Sequence, residues 1–151
     1  MEYYEAVINA NNPSFLKHVS EEDAEKASYS YLISTVVLMV GLPFPLLNMI
    51  ATFIFYMANR RKSYFVRFHC LQSLLSQILI VVMNSTTLIW LLNIVFQKTA
   101  ISNFYFGFLF TVILLNLTEF IISIYASIQV RKRKDVRYFF FGPLTEVICK
   151  P

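Results

Sequence analysis

Three long stretches of this sequence are apolar and almost free of charge, and they leave few folds open. Residues 31–57 carry no charged side chain, residues 65–96 carry one (Arg67), and residues 104–130 carry one (Glu119). Each exceeds the roughly 20 residues that cross bilayer hydrocarbon as a helix. Inside lipid every backbone donor and acceptor has to be paired within the protein, which favours helices for such stretches. The remaining composition does not offer a soluble alternative. Only 15% of the residues are charged and 57% are hydrophobic, whereas a soluble domain carries about a quarter charged residues. The sequence therefore predicts an all-α membrane protein, a small polytopic helical bundle with three long apolar regions. Its expected parts are a polar N-terminal arm (1–19), a membrane helical domain (20–130) and a basic, aromatic cytoplasmic tail (131–151).

The first apolar region is interrupted at Gly41, Pro43 and Pro45. Two prolines so close remove two backbone donors and push the residues before them out of helical geometry. Residues 29–58 then form either one kinked span or a helical hairpin, which makes four helical segments in all. The arms of a hairpin would be roughly 33 and 24 Å long at 1.5 Å per residue, and the hairpin is the favoured reading. Ser20, followed by Glu21, Glu22 and Asp23, marks a helix start, because the hydroxyl caps and the acids suit the positive end of the helix dipole. Ser63 is placed to cap the second long segment. Asn84-Ser85-Thr86-Thr87 marks a local bend, residues 98–103 a short turn, and the aromatic run 138–143 a segment lying on the membrane surface.

Basic residues give an orientation. Arg60, Arg61 and Lys62 precede the second segment, with Arg67 in its first turns; Arg131, Lys132, Arg133, Lys134 and Arg137 follow the last, and Lys98 alone lies between. Two helices separate the clusters, so both fall on one side, and the positive-inside rule makes that side cytoplasmic. The expectation is an integral protein of the bacterial inner membrane with loop 60–67 and the C-terminus in the cytoplasm. Arg60, Arg61, Lys62 and residues 131–134 then contact lipid or a partner, and the excess of basic residues reports topology, not nucleic-acid binding. Residues 1–5 hold two acids and no base, which does not read as a signal peptide. Cys70 and Cys149 stand apart with no CxxC pair, so neither a zinc site nor a disulfide is expected.

Polar residues inside the apolar segments fall on single helix faces. At about 100° per residue, His69, Ser73, Ser76, Gln77, Asn84 and Thr87 share a sector, with Gln72 at its edge, and Asn116, Glu119, Ser123 and Ser127 share another. Such faces avoid lipid and point into the bundle. They serve either as glue between helices or as the lining of a polar path, as in a small transporter or channel centred on Glu119. Glu119 lies at the depth of Ser76 and Gln77, and its expected role is a hydrogen-bonded registry point with Gln77 or a neighbour. The sequence holds no nucleophile elbow, no phosphate-binding glycine loop and no paired carboxylates. No catalytic, cofactor or metal residue is assigned, and an enzyme is not expected.

Residues 62–75, Lys-Ser-Tyr-Phe-Val-Arg-Phe-His-Cys-Leu-Gln-Ser-Leu-Leu, resemble the F-x-R-F-H-x-x-Q-[AS]-L-L signature of the Tic-twenty-like family of chloroplast protein-import components and small bacterial membrane proteins. Phe65, Arg67, Phe68, His69, Gln72, Ser73, Leu74 and Leu75 match, while Cys70 stands where a small residue is usual. Physically the motif reads as an interfacial hinge: Phe65 and Phe68 anchor at the interface, Arg67 reaches phosphates or helix-end carbonyls, and His69 and Gln72 open the polar stripe. The resemblance implies four membrane helices with both ends cytoplasmic. It also implies a non-catalytic accessory subunit of a protein-translocation or membrane-protein-assembly complex. Its partners would be lipids and other integral membrane subunits, secretion machinery among them.

Overall fold

The protein's structure, a computed structural model, describes residues 19–41, 45–97 and 101–149, with side chains at 19–36, 46–97 and 101–149. Residues 1–18, 42–44, 98–100 and 150–151, which include Pro43, Lys98 and all but the last residue of the expected polar arm 1–19, lie outside the described residues. Five helices are described: α1 Glu21–Gly41, α2 Pro45–Asn59, α3 Tyr64–Gln97, α4 Asn103–Arg131 and α5 Phe141–Ile148. No strand occurs among the described residues.

Helix ends follow local chemistry. The Ser20 hydroxyl accepts from the Asp23 backbone N–H at 3.0 Å, and three acids occupy the first turn of α1. Pro45 opens α2, where its missing N–H costs no helical bond. Ser102 caps α4 through the Phe104 N–H. The end of α4 is a Schellman turn: Lys134 N–H reaches Gln129 O at 3.1 Å and Arg133 N–H reaches Val130 O at 2.9 Å. Arg133 sits there at φ 60°, a left-handed position that glycine usually fills.

α1 and α2 pack side by side, and each also packs on α3. Helices of one kinked span would meet only at the kink, so the first region is a hairpin. It does not supply a third long apolar span. α2 has 15 residues, about 22 Å against the roughly 30 Å of bilayer hydrocarbon, and α1 begins in its acidic turn. Among the described residues two helices, α3 and α4, are long and apolar enough to cross a membrane. α3 continues unbroken through Asn84-Ser85-Thr86-Thr87, where the Thr86 and Thr87 hydroxyls bond carbonyls on their own helix.

Polarity is inverted relative to a soluble protein. The buried side chains include Ser28, Ser30, Ser34, Asn48, Thr52, His69, Gln72, Ser73, Ser76, Gln77, Ser123 and Ser127. The outer surface carries Val36, Ile54, Ile89, Phe110, Ile121 and many similar residues, with Ile54 at 61% and Phe110 at 63% exposure. A long apolar helix in a soluble protein is buried, whereas the most apolar stretches of α3 and α4 are largely unburied. The pattern is consistent with a membrane protein.

Of the aromatic run expected on the surface, Tyr138 is buried while Phe139 and Phe140 are exposed. The left-handed turn at Arg133 reverses the chain, and α5 packs on α3. The reason is a hydrogen-bonding demand inside the bundle that residues 135–138 satisfy.

Candidate functional site

A seam of polar side chains runs up the middle of the bundle, starting at the basic end. At the bottom lies a small apolar cluster of Val19, Ala24, Ala27, Tyr31, Phe65, Ala126, Val130 and Tyr138. Its small residues let α1 approach α4 closely, and next to Ala27 and Ala126 the Ser28 and Ser127 hydroxyls share a bond of 2.9 Å.

The next layer joins three parts of the chain. Tyr31 on α1 shares a 3.0 Å bond with His69 Nδ1 on α3 and accepts from the Gln72 amide at 2.9 Å. The same amide donates to Val136 O at 3.0 Å, while Gln72 Oε1 accepts from the Tyr138 N–H at 3.3 Å. Gln72 thus clamps the returning segment by its backbone. His69 Nε2 lies 3.6 Å from Asp135, and Asp135 is held by Arg137 at 2.8 Å, with Glu146 on the other side of that guanidinium. Burial, then the nearby Glu119 charge, pushes the Tyr138 hydroxyl well above its usual range, so it remains protonated.

The third layer centres on Glu119, 9% exposed. Its Oε1 accepts from Ser76 at 2.7 Å, from Gln77 at 3.2 Å and from Ser123 at 3.2 Å. Asn48 on α2 donates to Gln77 Oε1, which ties the hairpin to the same carboxylate. Above it Asn84 and Asn116 exchange two amide bonds of 3.0 and 2.8 Å. Beyond them α3 and α4 meet through aromatic contacts, with Trp90 against Tyr105 at 5.5 Å and Phe108 at 5.8 Å.

The expected polar residues Ser76, Gln77, Asn84, Asn116, Glu119 and Ser123 therefore meet across one interface and satisfy one another. That arrangement gives the transporter or channel reading no support: among the described residues the two stripes bond to each other. The basic residues also converge. Arg60, Arg61 and Lys62 are exposed in the turn before α3. Lys62 lies within electrostatic reach of Glu22 and Lys26, while Arg131 and Arg133 face Glu25 and Glu21 at 3.9 Å. Both clusters thus sit at one end, beside the acidic start of α1. Cys70 and Cys149 are free and buried. Among the described residues no group of three or more His, Cys, Asp or Glu is placed to hold a metal ion.

The profile of the MamF/MmsF family, the magnetosome magnetite crystal formation protein family, matches residues 25–145, four fifths of the chain. The chain belongs to this family. No curated protein and no solved structure matches it. The match runs from α1 through the returning segment into α5, so the seam and its clamp are built within the part shared with the magnetite-formation family.

Membership in that family overturns the Tic-twenty-like resemblance, and with it the protein-transport and translocon-subunit reading. The resemblance rested on one short motif, and the structure shows how general its physics is. Phe65 and Phe68 are not interfacial anchors but buried at 4% and 3% exposure. Phe65 packs edge-on against His69, and Arg137 lies over the Phe68 ring. A helix that enters a bundle behind a basic turn has reason to place Phe, His and Gln in this order whatever the protein does.

Sequence reasoning missed the partners of the stripes. Ala24, Ala27, Ser28, Tyr31, Ser34 and Thr35 follow a spacing of three and four along α1, a small and polar face that signals a close helix contact. Asn48, Asp135 and Val136 carried no such signal, because their roles depend on the two chain reversals.

Proposed function

We propose that this chain is a non-catalytic protein of the magnetosome membrane that acts in magnetite crystal formation from within the lipid layer. The observation that carries the reading is the family match over residues 25–145; the inverted polarity of the bundle adds the place of action. Nearly all the side surface of α2, α3 and α4 is apolar, so what the helices offer to their surroundings is a lipid-facing exterior, suited to lipids and other integral membrane proteins. In this reading the α1–α2 hairpin inserts beside α3 and α4. The basic end, with loop 60–67 and the C-terminal segment, faces the cytoplasm by the positive-inside rule. The short connection between α3 and α4 then faces the compartment in which the crystal grows. The Glu119 layer serves this function by fixing the register of α2, α3 and α4 around one buried carboxyl.

The test is genetic and microscopic. A magnetite-forming cell deprived of this chain should produce crystals of altered size and shape in electron micrographs. The wild-type gene should restore them, and Glu119→Leu should restore them poorly. Crystals unchanged after deletion, in cells with no second copy of the gene, would remove the proposal.

A further inference from the structure

The C-terminal helix α5 has two unlike faces at a decisive height in the bundle. Its inner face is seated: Gly142 and Thr145 are buried, Gly142 close against Arg137, and Cys149 just beyond lies in a cluster with Phe68, Leu71 and Leu74 of α3. Arg137, which pairs with Asp135 and Glu146, fixes the approach to the helix. The outer face cannot turn inward while these contacts hold. It presents Leu144, Val147 and Ile148, and Phe139 and Phe140 just before the helix are exposed too, Phe139 at 88%. Leu74 is ten residues into α3, about 15 Å from its start, so α5 lies along the stretch where α3 passes from its basic turn into its apolar length. Immediately before this segment stand the exposed Arg131, Lys132, Arg133 and Lys134.

We infer that α5 and the preceding basic turn form a contact surface for anionic phospholipid, with the outer face of α5 in the acyl boundary and residues 131–134 on the headgroup phosphates. An amphipathic helix with a strongly apolar face and adjacent Lys and Arg is the combination that holds a segment in the plane of an interface. Two further observations commit the surface to lipid. It lies beside α2, whose Met49 and Tyr56 pack on the same cluster as Cys149 and whose Phe53 and Met57 are exposed, and the basic residues beside it supply the complementary charge. The inference rests on the membrane reading above.

The full chain carrying Phe140→Trp, reconstituted in vesicles, tests it, with the wild-type chain as blank for Trp90 at the far end of α3. Bromine is placed on the acyl chains of either phosphatidylcholine or phosphatidylglycerol at equal mole fraction. The introduced indole should be quenched by both lipids, and more strongly by the brominated phosphatidylglycerol, since each basic residue near an anionic surface favours it about fivefold. The variant Lys132→Gln/Arg133→Gln/Lys134→Gln should lose that preference while retaining the quenching. Val147→Trp, on the same face, should repeat both results if position 140 is locally perturbed.

Quenching by aqueous acrylamide without quenching by lipid would place α5 in water and overturn the inference. Shielding from both quenchers would assign the face to a second copy or another protein, with the same consequence. Equal quenching by the two lipids in the unsubstituted basic turn would remove the anionic contact. A chain that fails to float with the vesicles at all would instead defeat the membrane reading on which the inference stands.

Discussion

The half of the bundle beside the basic turns and the half beyond Asn84 are made from the same two long helices, yet they are held together differently. Near the basic end α3 and α4 are joined by α1, α2 and the returning segment, and successive layers are cross-linked by hydrogen bonds around Gln72 and Glu119. Beyond Asn84 the pair stands with Ile89, Phe96, Phe104 and Phe110 bare on its flanks. In water such flanks would collapse onto something. In lipid there is no such drive, because acyl chains solvate them as well as another helix would, and association depends on packing and polar contacts. The basic half therefore carries the specificity of the fold, while the far half needs little more than apolar length.

The largest expected effect breaks the basic half at its clamp. Gln72 bonds Tyr31, Val136 and Tyr138 at once, and Gln72→Leu leaves buried polar groups without partners. A loss of about 3 kcal/mol follows from unsatisfied groups in such a site. It should appear in detergent unfolding, together with faster tryptic cleavage at residues 131–134 as the segment undocks. Cleavage at the wild-type rate would show that α5 is held by its own contacts alone.

A smaller effect is expected one layer up. Glu119→Leu takes the acceptor from the Gln77 amide and leaves the Ser76 and Ser123 hydroxyls only Ser73 O and Tyr138, and should lower stability by about 2 kcal/mol. Glu119→Gln keeps an acceptor at the same place and should cost less than about 1 kcal/mol. Equal losses for the two variants would mean that volume, not hydrogen bonding, is what position 119 supplies.

How much of this was readable in the sequence follows the same division. Helical periodicity placed His69, Ser73, Ser76 and Gln77 on one face and Asn116, Glu119 and Ser123 on another, because periodicity is a local property of each helix. The cap at Ser20 and the division of the first apolar region were legible for the same reason. The return of residues 135–138 was not, since it depends on a left-handed Arg133 where sequence rules look for glycine. The burial of Phe65 and Phe68 was also hidden: aromatic residues beside a basic turn suit an interface equally well until the tail is known to cover them. The family was misread because a motif of eight matching positions reports how a helix enters a bundle. The match over 25–145 spans four fifths of the chain.

The smallest effect tests whether the far half is as undemanding as its surface implies. The Asn84–Asn116 pair is its only hydrogen-bonded link among the described residues, and both side chains are half-buried. Interhelical polar contacts in membranes contribute about 0.6 kcal/mol on average, so Asn84→Leu should lower stability by roughly that amount, well below the change at Gln72 or Glu119. Asn84→Leu/Asn116→Leu should recover most of it, because replacing both partners leaves no amide without a bond and adds apolar packing at the same height. The pair of measurements separates two meanings of that link. Recovery in the double variant shows that the asparagines maintain a register that leucines accept equally well, and the contrast between the halves stands. A double variant worse than either single one shows instead that the amide pair specifies the α3–α4 register beyond the reach of α1 and α2. The specificity assigned to the basic half would then extend along the whole α3–α4 pair.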